Sequence, residues 1–441
     1  MEHAAEAVHQ PERGRLRPTS PWPFIAWGVL LITQLVSPDR VWSWLLVGLG
    51  LLIGVAYLWA RQMCDRVTAS RRVFGAWVVA GDRLREQWAL DNRSKLPVLW
   101  ARIRDHSEVP GYQVDRVETA PADGERAWST SGVCQRRGVF RLGPWDVEMA
   151  DPVGFFRVTH SHPEVTTIMV YPRASRLPDL DLPRGRAAGR ATTGERAAEE
   201  TILVGGLRAY APGDPLRRIH WKASARHDEF MVREFDREPS GDLWLILDMD
   251  AAVHAGAEAE ATQEYAVILA ASLAAQFLRQ GERRAVGLLV SGRNPTLLPP
   301  GRGQGQLWRI LEALALAEPA AGTPLDALLR QSGPTLGSGR TLVILTPSQE
   351  TAWVAPLLPL MARGNAPSAV LLDATTFNPP KGASGALLGL RGLLSQQRIP
   401  SVTIEQGFPF SPIDKLKRRA TEARVLSGFG RVIQVEVEEE V

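Results

Sequence analysis

The sequence contains little cysteine and little lysine. Of the 441 residues only two are cysteines, Cys64 and Cys134, and the basic residues are nearly all arginine. Two cysteines cannot form a disulfide framework, and no CxxC pair is present for zinc binding or redox chemistry. This composition fits a reducing compartment. A chain of this length is too long for one ordinary core, so two or three domains are expected.

Short motifs of catalysis and nucleotide binding are also missing. The sequence has no G-x-S-x-G elbow and no H-E-x-x-H zinc motif. The glycine-rich stretch 298–305 lacks the G-K-[ST] ending of a phosphate loop, so we interpret it as a turn before a helix. The net charge of +3 does not indicate a dedicated nucleic-acid binder. We therefore predict a protein that is not an enzyme and has no cofactor and no nucleic-acid partner.

Two long apolar runs stand near the N-terminus. Residues 41–60 carry no charge and have the length of about 20 residues that crosses the hydrocarbon core of a bilayer. Residues 22–36 are fewer, but they can span with the help of their flanks or where the bilayer adapts. Because the connection 37–40 is short, we predict a transmembrane helical hairpin over 21–60, preceded by a cytoplasmic tail over 1–20.

The positive charges predict the orientation of this hairpin. Basic residues flank both ends, and the connecting loop carries only Arg40. The positive-inside rule then puts both ends, and the bulk of the chain, in the cytoplasm. We predict a multi-pass protein of the inner (plasma) membrane, with the lipid bilayer as one of its partners. The alternative is a cleaved signal peptide, but no A-x-A site is evident and a second, more apolar run follows.

Residues 66–175 consist of short β-prone runs separated by turn signals. Examples are 98–100, 138–140 and 166–171. Short strands at roughly regular spacing predict an Ig-like β-sandwich. His160 and His162 fall on one face of a predicted strand with no third ligand nearby, so we interpret them as surface residues rather than a metal site.

Residues 176–242 combine a linker with a dense motif. Residues 183–198 are rich in Arg, Gly and Ala, which favours an exposed linker. In the motif that follows, Asp214 can cap a helix that begins at Pro215. A basic stripe runs along this helix: Arg217, Arg218, Lys222 and Arg226. Such a stripe could bind an anion or a partner carboxylate. The alternative, which we favour, is ion pairing inside the fold with Glu234, Asp236 and Glu238.

Residues 243–441 alternate between strand-like and helix-like segments. The predicted strands are 243–248, 285–290, 341–345, 369–372 and 401–404, and the predicted helices are 257–279, 304–317, 352–362 and 386–397. This alternation predicts a doubly wound parallel sheet, so that the chain as a whole combines an α/β fold with an all-β fold. Binding sites of such sheets lie at the carboxyl ends of the strands.

The motif Y-x-P-G-D-x-x-R-x-I-x-W-x-x-S-A-R at 210–226 resembles the signature of a bacterial family called domain of unknown function 58. The upstream strings R-G-x-F-x-L-G-P and D-P-x-G-F-F and the membrane hairpin are similar to this family too. The resemblance implies MoxR-type AAA+ ATPases and other von Willebrand factor A-like membrane proteins as partners, and no established enzymatic activity. We expect the signature residues to bind a partner: Tyr210, Gly213, Asp214, Arg217, Trp221, Lys222, Ser224 and Arg226.

The α/β region resembles a von Willebrand factor A domain, which implies a magnesium site at the strand ends. Asp248 matches the first ligand, Asp250 replaces a serine and could still ligate, and Thr323 matches a later threonine. Ala252 and Pro347 stand where the family has oxygen ligands. Mg²⁺ requires several well-placed oxygens. We therefore expect a degenerate site of Asp248, Asp250 and Thr323 that holds no metal.

These observations favour a membrane-tethered, non-enzymatic adaptor or scaffold. It would work with a MoxR-type AAA+ ATPase in the assembly or maturation of protein complexes. The alternative is a metal-dependent adhesion or ligand-binding module of the cell envelope, which requires a complete metal site and the reverse orientation. A third hypothesis is a hydrolase that uses Asp248 and Asp250 as paired carboxylates, although no nucleophile is evident.

Overall fold

The computed structural model describes residues 14–75, 77–178, 204–209, 221–227, 229–235, 242–279, 284–322, 324–383, 385–412, 417–425 and 432–440. The chain separates into two units. The first, here called the β-rich unit, comprises Met1–Arg176, Leu311–Leu316 and Phe410–Val441. The second, here called the α/β unit, comprises Leu177–Ile310 and Ala317–Pro409.

The first part of the chain is mostly β-structure that follows two helices. Its elements are β1 Arg15–Pro18, α1 Trp22–Val36, α2 Arg40–Arg66, β2 Val67–Phe74, β3 Trp77–Val79, β4 Arg83–Asn92, β5 Val98–Asp105, β6 Asp115–Ala120, β7 Gly124–Val133, β8 Gly138–Leu142, β9 Trp145–Ala150, β10 Phe156–His162, β11 Thr166–Tyr171 and β12 Ser175–Arg176.

From Val204 onward helices and strands alternate. The elements are β13 Val204–Ala209, α3 Trp221–His227, β14 Met231–Phe235, β15 Leu243–Leu247, α4 Thr262–Arg279, β16 Val286–Val290, β17 Thr296–Gly301, α5 Gly303–Ala315, α6 Leu325–Leu336, β18 Thr341–Thr346, α7 Leu357–Ala362, β19 Ala366–Leu372, α8 Ala386–Gln396, β20 Ser401–Ile404, β21 Ser411–Pro412, β22 Lys417–Val425 and β23 Val432–Glu440. The chain therefore has a mixed α/β fold with several sheets.

The helix α2 is long and apolar enough, by length and composition, to cross a membrane. It has 27 residues, and only 6% of its most apolar stretch is buried, whereas a core helix would bury such a stretch. No other helix in the described ranges meets both criteria. The preceding helix α1 is apolar but has 15 residues, fewer than the usual span of about 20.

The last turns of α2 belong to the core of the β-rich unit. Ala56, Ala60 and Met63 are buried and pack in the same cluster as the strands. Trp59 Nε1 donates to the Pro97 carbonyl at 3.3 Å. The helix thus extends beyond its exposed apolar stretch and is anchored in the folded unit.

The strand β1, which precedes the two helices in sequence, belongs to the same unit. It pairs antiparallel with β10, with Arg15 opposite Thr159 and Pro18 opposite Phe156. The sequence pattern places these residues in an N-terminal tail, but the structure makes them an edge strand of a sheet. The chain segments before α1 and after α2 are therefore hydrogen-bonded to each other.

The predicted β-rich character of residues 66–175 is confirmed. The sheets have the strand orders β1-β10-β9-β5-β6, β2-β4-β7 and β3-β11-β8. Burial alternates along β4, as expected for a strand with one face on the core. The core contains Trp88, which meets Trp145 edge to face with ring centroids 5.1 Å apart.

A buried ion-pair network lies among these strands. The Arg71 guanidinium contacts Glu86 Oε1 at 2.6 Å and Asp105 Oδ2 at 3.1 Å. It also lies over the Trp88 ring, 4.9 Å from the centroid. The Tyr112 hydroxyl donates to Glu86 Oε2 at 2.6 Å, and burial together with this hydrogen bond raises the pKa of Tyr112. One arginine therefore compensates two buried carboxylates.

The interpretation of His160 and His162 as surface residues is wrong. Their exposed fractions are only 5% and 9%, and no hydrogen bond to Nε2 of either ring is present in the described part of the chain. His162 stacks on Trp145 with ring centroids 3.7 Å apart. Burial lowers the pKa of both rings, to about 4 for His162. Both histidines are therefore neutral core residues at neutral pH.

The α/β unit contains a six-stranded sheet with the order β17-β16-β15-β18-β19-β20. Within this sheet the strands β16, β15, β18, β19 and β20 are parallel to one another. The two central strands, β15 and β18, are buried along their whole length. Such runs are typical of strands covered on both faces. Trp244 and Ile246 of β15 pack with buried residues of α6, α7 and α8, and α4 packs against the same strand.

Two parts of this unit differ from the predictions. Residues 298–301 belong to the edge strand β17, which pairs antiparallel with β16, and do not form a turn. Pro299 and Pro300 are compatible with an edge strand because an edge leaves amide positions unpaired. The helix α6 is not predicted by the sequence pattern, since Gly333 and Pro334 normally interrupt helices. It forms because its leucine face is buried in the core.

Candidate functional site at the carboxyl edge of the parallel sheet

Polar side chains stand where four neighbouring strands of the six-stranded sheet end. Asp248 follows β15, Ser291 follows β16, Thr346 ends β18 and Asp373 follows β19. Because parallel strands present their carboxyl ends at one edge, these residues lie along the same edge of the sheet. This edge is the position at which open α/β sheets bind ligands.

Asp248 is the centre of this arrangement. Its Oδ2 accepts a hydrogen bond from Thr346 Oγ1 at 2.7 Å, and its Oδ1 accepts one from the Asp250 amide at 3.1 Å. The side chain is almost completely buried. Burial raises the pKa of Asp248 to about 6, although both hydrogen bonds favour the charged form. The charge of this carboxylate therefore titrates just below neutral pH.

Asp250 continues the same turn. Its Oδ1 accepts a hydrogen bond from the Ala252 amide at 3.0 Å, and its backbone bridges to Ala320. Carboxylates that hold the amide two residues further on are typical of Asx turns. The structure thus brings Asp248 and Asp250 together, but as consecutive supports of one backbone turn.

Sequence reasoning missed several polar neighbours of Asp248. Ser291 Oγ accepts a hydrogen bond from the Met249 amide at 2.7 Å. His254 Nε2 lies 3.0 Å from the Asp248 carbonyl oxygen, and His254 Nδ1 lies 2.9 Å from Thr262 Oγ1. The available signal was positional, because Ser291 and Thr346 each stand at the end of a buried apolar strand.

The oxygen donors in the described residues do not fit a magnesium site. Both Asp248 oxygens accept hydrogen bonds from the protein, and neither Ala252 nor Pro347 has a side-chain oxygen. No group of three or more His, Cys, Asp or Glu residues within the described ranges could hold a metal ion. Thr323, the third predicted ligand, lies outside the described residues.

The signature residues divide into two groups. Tyr210, Gly213, Asp214 and Arg217 lie outside the described residues, and so do the predicted linker 183–198 and the helix start at Pro215. Trp221, Lys222, Ser224 and Arg226 lie on α3. The structure therefore brings half of the predicted partner-binding set together on one short helix.

The described part of α3 combines a structural contact with an exposed aromatic pair. Ser224 is buried, and its Oγ accepts a hydrogen bond from the Met231 amide at 2.9 Å. Trp221 is 65% exposed and meets Phe230 edge to face, with ring centroids 6.1 Å apart. Arg226 is exposed on the same helix. Ser224 thus holds α3 on β14, while the two aromatic rings face solvent.

A family model matches part of the α/β unit. Residues 206–338 match the family described as "Protein of unknown function DUF58". The match begins in β13, includes α3 and the Asp248 turn, and ends just after α6. The helices α1 and α2 and the strands β1 to β12 lie outside it.

The curated relatives are themselves described as uncharacterized. Protein YeaD of Bacillus subtilis is 24% identical over 276 residues, which is 60% of this chain and 65% of the relative. Protein Rv1480 of Mycobacterium tuberculosis is 29% identical over 184 residues, which is 40% of this chain and 56% of the relative. The chain thus spans less than two thirds of the length of these relatives.

Two solved structures that resemble the chain each cover about a quarter of it. The complex of zinc 2-glycoprotein with prolactin inducible protein from human seminal plasma has a TM-score of 0.19 and 10% identity, covering 24% of this chain and 96% of that one. Red sea bream transglutaminase has a TM-score of 0.17 and 15% identity, covering 23% and 14%. Likeness this weak carries no argument about function. What the comparisons establish is that residues 206–338 match the family of unknown function DUF58.

Proposed function

We propose that this chain is a membrane-tethered, non-enzymatic adaptor or scaffold. It is anchored in the inner (plasma) membrane by the hairpin of α1 and α2, and its folded units lie in the cytoplasm. It works with a MoxR-type AAA+ ATPase, and with other von Willebrand factor A-like membrane proteins, in the assembly or maturation of protein complexes.

The pairing of β1 with β10 is the observation that carries the membrane part of this proposal. These strands lie on either side of the helix pair in sequence, yet they are neighbours in one sheet. If α2 crosses the bilayer, the chain has to cross it a second time for both strands to be on one side. The short apolar helix α1 supplies that second crossing, which supports a two-pass anchor.

The carboxyl edge of the sheet supports a binding role rather than catalysis. The strand order and the parallel pairing agree with the proposed von Willebrand factor A-like domain. Asp248 and Asp250 each hold a backbone amide two residues further along, so both serve as supports of a turn. This arrangement favours a metal-independent protein-binding surface over a pair of acid–base carboxylates.

The exposed aromatic pair of Trp221 and Phe230 supports a protein partner. Aromatic residues and arginine are enriched at protein–protein interfaces, and Arg226 is exposed on the same helix. The assignment of that partner as a MoxR-type ATPase rests on the resemblance of the signature and on the family match over 206–338.

Co-purification from membranes tests this proposal. Full-length protein extracted in gentle detergent with ATP should recover a MoxR-type ATPase. Trp221→Ala should reduce that recovery, whereas Leu388→Ala, which removes an equally exposed apolar side chain from α8, should not. Recovery of no ATPase by the unaltered chain would contradict the assignment.

A reporter fused after Val441 tests the orientation. A cytoplasmic C-terminus is expected. An extracellular signal would instead favour the alternative of a metal-dependent adhesion or ligand-binding module, for which the described oxygen donors offer little support.

A further inference from the structure

We propose that Arg17 and Arg157 form a binding site for the phosphate group of an anionic phospholipid where the helix pair enters the β-rich unit. This inference rests on the membrane anchoring proposed above. It adds a named lipid contact on the folded unit itself, outside the apolar helices.

Three aromatic rings meet where α1 and α2 contact the sheet that contains β10. Phe156, the first residue of β10, meets Phe24 of α1 edge to face at a centroid distance of 5.8 Å. It also meets Tyr57 of α2 at 5.6 Å. We call the place where these three rings meet the hairpin root. If α1 and α2 cross the bilayer, the hairpin root lies at the boundary between hydrocarbon and headgroups.

The strand register places the two arginines one step beyond the hairpin root. Pro18 is opposite Phe156, and Arg17 is opposite Arg157. One residue of a strand advances by about 3.4 Å, and the headgroup layer is roughly 5–7 Å thick on each side. Arg17 and Arg157 therefore lie within the headgroup layer. Arg15, opposite Thr159, lies about 10 Å from the hairpin root and can reach the same layer with its long side chain.

The positive charges in this place are not balanced within the part of the chain that the structure describes. Like charges directly opposite each other on a sheet repel. Arg157 Nη1 contacts Glu148 Oε1 at 2.7 Å, which offsets one positive charge. Arg15 and Arg17 make no ion pair with any residue in the described ranges. The net positive charge suits a phosphate, because the arginine fork matches phosphate oxygens in two parallel hydrogen bonds.

The surroundings of the arginines fit a membrane interface. Trp22, at the start of α1, is 72% exposed, and tryptophan is enriched at the level of the headgroups. The Thr19 amide donates to the Phe155 carbonyl at 2.8 Å, which ties the loop 151–155 to the start of α1. Val153 is exposed in that loop. An indole and an apolar loop tip beside paired arginines match a lipid surface better than a free anion in solution.

Quenching of tryptophan fluorescence by brominated lipids tests this site in the full-length protein. The protein is reconstituted in vesicles of brominated phosphatidylglycerol, of brominated phosphatidylcholine and of their mixtures. Wild type should bind phosphatidylglycerol severalfold more tightly than phosphatidylcholine. Arg17→Gln should lose most of this preference, because one arginine near an anionic surface contributes about fivefold. Arg17→Gln with Arg157→Gln should remove it.

Arg104→Gln is the matched control. Arg104 is an exposed arginine on the same sheet. It lies opposite Asp146 of β9, which in turn lies opposite Ser161 of β10. Ser161 is four residues further along β10 than Arg157. It should retain the wild-type preference. Unchanged thermal unfolding of all three variants shows that each one is folded.

Each outcome distinguishes the lipid site from the anchor. Equal quenching of the wild type by both lipids, or an equal loss in Arg104→Gln, would overturn the lipid site and leave the anchor intact. Loss of the preference on addition of inorganic phosphate at the same concentration would show that the site takes free phosphate, which also overturns the proposal. Absence of quenching by either lipid would reject membrane anchoring itself.

Discussion

Thr346 Oγ1 lies 2.7 Å from Asp248 Oδ2, and this hydrogen bond joins the ends of β18 and β15 across 98 residues of sequence. Both side chains are buried. The Ser348 amide in turn donates to Thr346 Oγ1 at 2.9 Å. The threonine hydroxyl therefore couples the carboxylate to the loop that follows β18, at the edge where we propose a partner surface.

Substitution Thr346→Val should destabilise the protein at neutral pH. It removes a buried donor to a carboxylate, and such a loss costs about 1–3 kcal/mol. Thermal unfolding in detergent measures the effect. The control is Thr403→Val, because Thr403 Oγ1 is buried and has no hydrogen-bond partner among the described residues, so its loss should be neutral or stabilising. Equal destabilisation by both variants would contradict the role of the Thr346–Asp248 bond.

Substitution Asp248→Asn should change how stability depends on pH. The pKa of Asp248 is about 6 in the folded chain, above the ordinary value of 3.8. The folded state therefore binds the Asp248 proton more tightly than the unfolded state does. The resulting stabilisation of the folded state is fully present below pH 3.8 and is lost as pH rises through about 6. The difference amounts to roughly 3 kcal/mol. Between pH 4 and pH 7 the free energy of unfolding should fall less in the variant than in the wild type. Parallel plots of this free energy against pH for the two proteins would contradict the prediction.

Substitution His162→Phe should make the folded protein more stable in acid than the wild type. The pKa of His162 is lowered from 6.5 to about 4, because its ring is buried. Its contribution to stability is present above pH 6.5 and is lost as pH falls through about 4, by roughly 3 kcal/mol. Phenylalanine keeps a ring against Trp145 without a titrating group. Melting curves should show the variant more resistant to acid than the wild type, and equal loss of stability in acid for both proteins would contradict this role of His162.

Substitution Arg71→Met should strongly destabilise the β-rich unit. It leaves Glu86 and Asp105 buried without their cation, and breaking one side of a buried ion pair costs about 3–5 kcal/mol. Denaturant unfolding of the full chain measures the loss. The matched control is Arg102→Met, which breaks an exposed pair with Asp115 and should hardly change the midpoint. A similar shift in both variants would contradict the importance of the buried network.

Local pattern was sufficient to predict the five parallel strands of the six-stranded sheet. When helices alternate with them, apolar runs such as those of β15 and β18 indicate buried parallel strands. The pattern failed where packing overrides propensity, as in α6 with Pro334 and in β17 with its two prolines. Burial of leucines outweighs a poor helix former, and an edge position tolerates missing amides.

The two histidines of β10 could have been predicted from alternation. Phe156 and Val158 are buried on one face of β10, and His160 and His162 continue the same period of two. Their polarity suggested a surface position, but their place in the strand decided burial. By contrast, no sequence pattern could connect Thr346 to Asp248 or Arg71 to Asp105. Those contacts depend on strand order and register, which are set by the whole core.

The pairing of β1 with β10 has a consequence for how the protein is made. The ribosome releases β1 first, yet its neighbour in the sheet emerges only after the helix pair and eight more strands. Until β1 docks, β10 presents a bare row of amides and carbonyls, which invites pairing with other chains. Loss of the N-terminal segment would leave that row permanently open. A truncated chain beginning at the first helix should therefore associate with copies of itself during synthesis.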